Sequence, residues 1–486
     1  MKKALAIFLV LVLSLTIITG CTPKQTTNPS ADPTAAPSDE KPTPAPEEQQ
    51  IEEPTVGGDI KMITSVAGGK DEEEMTLFAK TLGEATGLNV TMEKPPSDYT
   101  NVVMQKLQGG EEYDLIYLNM MEYLNLVDQG ALLDLTDFMK SSKTFSDMVD
   151  QQELKNIEVD GKIYAGFNKK EVHRAVGLNK IHLEKAGVDY TKIEPTLDGY
   201  YEVFKKLKDT IKTADYYPLD GVVSEVNDLQ PWFASVGLKS GVVLDADNKK
   251  YVPYSTDEAI PVWEWIAKLH KEGLIDPAAA VDKTKDMRAK MGAASQLTSV
   301  TVDWAAYVGL HNANALAENI SNDQYEIVSL PGVKTPEGSY MLTKGGASLW
   351  AIPSNAKNPD GAKKILEYFA TQEGGELLSV GILGNDYNIE GGKYVLTDLG
   401  KKHGSDHGAP VPIFKDFKHP IGFNPGVEEA LSYGQYASID KPISNESDYK
   451  EIVGKWGVQI MQGAVSASDG LASMREELLS RKITDK

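Results

Sequence analysis

The chain has 486 residues, 41% of them hydrophobic, with 49 Lys and Arg against 71 Asp and Glu, a net charge of −22, and a single cysteine, Cys21. This length exceeds what one core usually supports, so more than one folded unit is expected. One cysteine excludes a disulfide framework and a Cys-rich zinc site, and the acidic balance argues against a nucleic-acid binder.

The first element is a signal. Met1-Lys2-Lys3 is basic, and Ala4 to Ile18 is apolar except for Ser14 and Thr16. The run is short for a spanning helix and suits a secretory h-region. Residues 1–20 are therefore read as a signal peptide. Residues 22–56 hold eight of the 25 prolines and no aromatic residue or glycine. Such a segment buries too little apolar surface to offset the entropy of ordering. It is read as a tether, which as extended polyproline could reach on the order of 100 Å.

The body begins at residue 57. Asp59 to Thr64 alternates like a half-buried strand. Asp71 to Ala85 reads as a helix with Met75, Phe78, Leu82 and Ala85 on one face, Asp71 and Glu74 as its cap, and Gly87 as its stop. Asn89–Glu93 reads as a second strand, 98–108 as a second helix, and Tyr113–Leu118 as a central strand. This alternation predicts parallel strands with right-handed crossovers, and ligand loops beyond the strands' carboxyl ends at 65–71 and 119–122. Farther on, Ser255 and Glu258 fit a capping box, Pro359 opens a helix, and two helices close the chain.

Three local patterns suggest chemistry and fail on spacing. Gly68-Gly69-Lys70-Asp71 lacks the phosphate-loop spacing, and Glu72–Glu74 would repel a phosphate. His403 and His407 are four apart, but in a loop-like stretch, so no metal role is assigned. There is no Gly-x-Ser-x-Gly elbow.

Ile18-Thr19-Gly20-Cys21 resembles the lipobox of bacterial lipoproteins. That resemblance implies lipidation of Cys21, cleavage before it, and anchoring to the outer face of the cell membrane. The body resembles the family 1 extracellular solute-binding proteins of carbohydrate ABC importers. Three stretches carry this: Tyr113–Tyr117 with Gly130–Thr136; Asp160–Gly166 with Leu178-Asn179-Lys180; and Ser348–Pro353 with Asn358–Ala362. The resemblance implies an α/β, two-lobed periplasmic-binding-protein-like fold, hinged, with the ligand between the lobes. Lobe 1 would comprise 57–172 and 332–381, and lobe 2 would comprise 173–331 and 382–486. It also implies a monomeric, non-enzymatic protein without cofactor or metal, whose partners are an oligosaccharide and permease subunits. A surface glycoside hydrolase, or the same fold binding a peptide, are the alternatives. Residues 208–223, where a sugar-binding subgroup carries a calcium loop, lack its aspartate spacing.

A sugar site needs flat rings with carboxylates and amides around them. Trp232 follows a loop-like stretch and Trp304 follows an apolar run, and the resemblance places both where members of the family carry stacking aromatics, whereas Trp263, Trp265 and Trp456 fall on helical stripes. Asp303, Asn119, Glu122, Lys70, Asp71 and Tyr387 complete the expected binding set. Asp71 also reads as a helix cap and Glu122 as a solvated helix residue.

Overall fold

Strands and helices alternate from the start of the body. The computed structural model describes residues 57–65, 71–96, 98–403, 410–439 and 446–486. Cys21, Lys70 and His407, and with them the signal and tether, lie outside the described residues. Strand Asp59–Ile63 pairs in parallel with Asn89–Glu93 on one side and Leu115–Leu118 on the other. The intervening helix Glu72–Thr86 is capped by Asp71, whose Oδ1 accepts from Glu74 N at 3.0 Å, and it ends at Gly87 in the left-handed region. Only glycine adopts that conformation without a Cβ penalty.

Two further strands, Leu349–Ala351 and Ala165–Phe167, complete a five-stranded sheet. Leu349–Ala351 runs antiparallel to both neighbours. The return of a distant segment makes the sheet mixed. Its core holds Phe78, Tyr113, Tyr123, Trp350 and Phe369, and Ile382 and Ile413 join it.

The second sheet orders Ile327–Leu330, Arg174–Asn179, Thr298–Trp304 and Tyr217–Leu219. Arg174–Asn179 is buried along its whole length, as is Thr298–Asp303. Its core gathers Tyr200, Phe204, Trp263 and Ile266 with Ile452 and Leu471 of the closing helices Glu446–Met461 and Ala467–Ser480. The helix of Val262 begins at Ile260 with Pro261 in its first turn, and Ser255 Oγ turns back to Val252 O. The expected Ser255–Glu258 capping box therefore does not start it.

The chain passes between the sheets at 168–173 and returns at 331–348. The two passages meet: His173 and Lys344 form an antiparallel bridge. Leu342–Lys344 also pairs with Ala437–Ile439. The molecule thus has two α/β lobes joined by adjacent crossing segments. No helix among the described residues is long and apolar enough to cross a membrane.

Candidate functional site

The buried strand Thr298–Trp304 ends at the junction of the lobes, and helix Ala305–Ala317 starts there. A strand's carboxyl end beside a helix start is a common ligand position in α/β sheets. A cavity of about 430 Å³ opens at this junction. That volume is in the range of small-molecule sites. Trp304, Tyr307, Leu310 and Arg288 form the wall from the second lobe. Asn119 comes from the first lobe, and Lys169, Glu171 and Gly345–Ser348 come from the crossing segments.

The second-lobe wall is held by ion pairs. Asp303 accepts from Arg288 Nε at 2.6 Å and Nη2 at 2.7 Å, and also from Trp304 N at 2.7 Å. This two-pronged pairing fixes the guanidinium plane. That plane lies 3.2 Å from the centroid of the Tyr307 ring. Arg174, directly across the sheet from Trp304, places its guanidinium 4.2 Å from the Trp304 ring centroid. Arg174 in turn pairs with buried Asp228. Burial pushes the Asp228 carboxyl upward, and Arg174 pulls it back toward the charged form. Each aromatic ring on the wall therefore has a guanidinium against it, held by its own carboxylate.

The first-lobe wall is set by a helix cap. Asn119 Oδ1 accepts from Glu122 N at 3.0 Å, and Glu122 Oε2 accepts from Asn119 N at 2.8 Å. Glu122 also accepts from the Thr100 hydroxyl and is buried. It is a reciprocal cap, not the solvated residue the sequence implied, and its polar atoms are already engaged.

The returning segment passes between the walls because it has no side chains there. A Cβ on Gly345 would stand 2.6 Å from the Trp304 ring and 3.2 Å from Glu171 Oε2. One on Gly346 would stand 2.9 Å from Met120 Cβ. Glu171 itself is 10% exposed, and its Oε1 has no hydrogen-bond partner. Lys169 Nζ lies 4.0 Å from that oxygen.

Of the residues expected from sequence, Trp304 and Asn119 line the cavity and Asp303 positions Trp304. Trp232 lies in the core of the second lobe, with ring centroids 5.0 Å from Tyr200 and 5.4 Å from Trp265. Tyr387 is buried and stacks on Tyr394 at 4.9 Å in a hairpin. Asp71 caps its helix. His403 ends the helix Asp398–His403, with Nδ1 2.8 Å from Asp386 Oδ1 and Nε2 2.9 Å from Glu74 Oε1. Lys402 and His403 are helical, and the rest of the stretch read as loop lies outside the described residues.

The sequence reading missed Glu171, Arg288 and Tyr307. Tyr307 follows Trp304 by three residues at the start of a helix, so the helical period places it on the same face. Arg288 had no local signal, since its partner Asp303 belongs to another element.

One carboxylate cluster lies elsewhere in the second lobe. Oxygens of Asp220, Asp276 and Asp282 lie within 4.8 Å of one another. Lys290 Nζ is 2.6 Å from Asp276, 3.2 Å from Asp220, and bonded to Asp282. A lysine ammonium thus holds the position a metal would take.

Two lobes, paired crossings and a cavity at their junction define the two-lobed binding-protein fold. The sequence pattern of the bacterial extracellular solute-binding proteins matches residues 69–376, and the chain belongs to that family. The family is one of solute-binding proteins and places the chain outside the cytoplasm. Similar solved structures include the alginate-binding protein AlgQ2 without calcium, at 16% identity and a TM-score of 0.64 over 87% of this chain and 95% of that one. Another is the ABC substrate-binding protein Lmo0181 of Listeria monocytogenes with cycloalternan, at 13% identity and 0.62 over 88% and 99%. A third is maltose-bound MalE3 of T. maritima, at 16% and 0.62 over 87% and 100%. No curated protein matches the sequence.

Proposed function

We propose that this chain is the substrate-binding lipoprotein of a carbohydrate ABC importer. It captures an oligosaccharide by lobe closure and hands it to permease subunits, remaining on the outer membrane face through a lipid on Cys21. The observation that carries this reading is the Trp304–Tyr307 wall, opposite Asn119 across the cavity. Flat rings braced by ion pairs suit the apolar faces of sugars, and the amide suits their hydroxyl edges. Sugar-bound neighbours with this fold support it. The ligand would stabilise the closed form by its greater affinity for it. The lobe division proposed is 57–172 with 332–381, and 173–331 with 382–486, except that the parts of 382–413 packed in the first core move with the first lobe.

Titrating a panel of mono- and oligosaccharides against intrinsic tryptophan fluorescence and heat tests this. Saturable binding with the sugar recovered unchanged is expected. Release of reducing ends would favour a glycoside hydrolase, and silence to every sugar would overturn the carbohydrate reading. For the anchor, Cys21→Ser should move the protein from the membrane fraction to the medium.

A further inference from the structure

The second-lobe wall of the cavity is one face of a helix, and that face continues beyond the cavity. On helix Ala305–Ala317 and its cap, Tyr307, His311, Asn314 and Glu318 follow at steps of four, three and four, the spacing that keeps side chains on one side. Tyr307 and Leu310 line the first cavity and also a groove of about 280 Å³, whose lining runs on through His311 and Asn314 to Glu318. At the rise of a helix the face extends about 16 Å past Tyr307. The other side of the groove is helix Thr284–Met291 and the turn after it, where Ala289, Gly292, Ala293 and Ala294 are all small and leave the space open. Arg288, the large residue on that side, is engaged by both oxygens of Asp303.

The groove is polar but carries little net charge. His311 is half-buried and stands edge-on to Tyr307 with ring centroids 6.4 Å apart. Among the described residues, neither its ring nor the Asn314 amide makes a side-chain hydrogen bond. Burial lowers the His311 pKa, so the ring is neutral and offers one donor and one acceptor. The amide offers both as well, and a sugar hydroxyl, which donates and accepts, matches either. Lys285 and Glu318 add one charge of each sign.

We propose that this groove is a second carbohydrate subsite, outside the space between the lobes, which holds the part of an oligosaccharide that extends past the interlobe cavity, with His311 and Asn314 as its hydrogen-bonding residues. This rests on the carbohydrate reading above. The lining residues all lie within 285–318, in the second lobe. The groove therefore keeps its shape whether the lobes stand open or closed. Sugar units in it add affinity equally to both forms, and only the units in the first cavity favour closure. The ligand is then a chain with one end left outside the cleft, not a molecule enclosed whole.

The test is calorimetric titration with malto-, cello- and xylo-oligosaccharides of increasing length, from disaccharide to hexasaccharide, on the full-length protein, His311→Ala and Asn314→Ala. Alanine is the best helix former, so both variants should fold. In a series that binds, the longest sugar should bind the native protein at least roughly tenfold more tightly than the shortest. Each variant should lose roughly threefold to tenfold in affinity for the longest sugar and nothing for the shortest. Small-angle scattering should show the same compaction on saturation with either sugar. Affinity that is flat with length, a gain untouched by both variants, or an equal loss for short and long sugars would overturn the proposal and leave the carbohydrate reading standing. Greater compaction with the longer sugar would put the added units between the lobes and overturn it too. No binding to any sugar of any length would overturn both.

Discussion

Arg288 and Lys290 stand two positions apart on the short helix Thr284–Met291. At 3.6 residues per turn that separation points them about 200° apart. Arg288 faces the cavity and meets one carboxylate with two parallel bonds while covering Tyr307. Lys290 faces into the second lobe and is shared among three carboxylates. A planar fork sets the orientation of its neighbours, and a compact ammonium only neutralises them. The side of the helix that serves recognition carries the fork. The side that serves stability carries the point charge.

That contrast can be broken by substitution. The largest effect is expected from Lys290→Ala. Asp220 is fully buried and would lose its counter-charge, so unfolding by denaturant should show a loss of about 3–5 kcal/mol. Ligand affinity of the folded fraction should be unchanged. A loss under about 1 kcal/mol would mean the cluster is neutralised by other means.

On the cavity side, Trp304→Ala should cost about 2 kcal/mol or more in ligand binding, measured by calorimetry. Its melting temperature should stay close to the native value, because Trp304 is only half-buried. A smaller effect is expected from Arg288→Lys. The charge remains but the second bond to Asp303 is lost, so affinity should fall by roughly 1–2 kcal/mol. Equal affinity would show that neutralisation alone suffices there, as it does at Lys290.

The smallest effect at neutral pH concerns a buried titrating group with a hydroxyl for a partner instead of a carboxylate. His182 Nδ1 lies 2.8 Å from Ser299 Oγ, and burial lowers its pKa to about 4. The unfolded chain takes up that proton near pH 6.5 and the folded chain does not. Stability from this group is therefore full above about pH 6.5 and falls as pH drops toward 4, by at most about 1.4 kcal/mol per pH unit. His182→Gln should flatten that limb in unfolding measured from pH 4 to 8. An unchanged slope would remove His182 as its source.

Much of the fold was legible because its signals are local. The strands at 59–63, 89–93 and 115–118, the Asp71 cap and the Asn358-Pro359 helix start are written within a few residues of themselves. The antiparallel return of Leu349–Ala351 was not, since pairing direction depends on a segment more than 200 residues away. The two tryptophans show the same limit at the site. Trp232 after a loop-like stretch and Trp304 after an apolar run carried equal expectation of lining the site. Trp232 is covered by Tyr200, Phe204 and Trp265, which arrive from other helices. Trp304 meets a glycine at the corresponding approach and stays open to the cavity. Glu171 was silent for a related reason: nothing near it in the chain shows that its carboxylate is enclosed and without a donor.

The tri-aspartate cluster has a consequence for the conditions the protein tolerates. A cation carried on a side chain has a local concentration set by chain geometry, not by the surrounding medium. The three carboxylates keep their shared counter-charge however scarce divalent ions become outside the cell. Chelator should therefore leave the melting temperature of the native protein unmoved, whereas removing Lys290 would hand that task back to the solution and make the second lobe's stability follow its ion content.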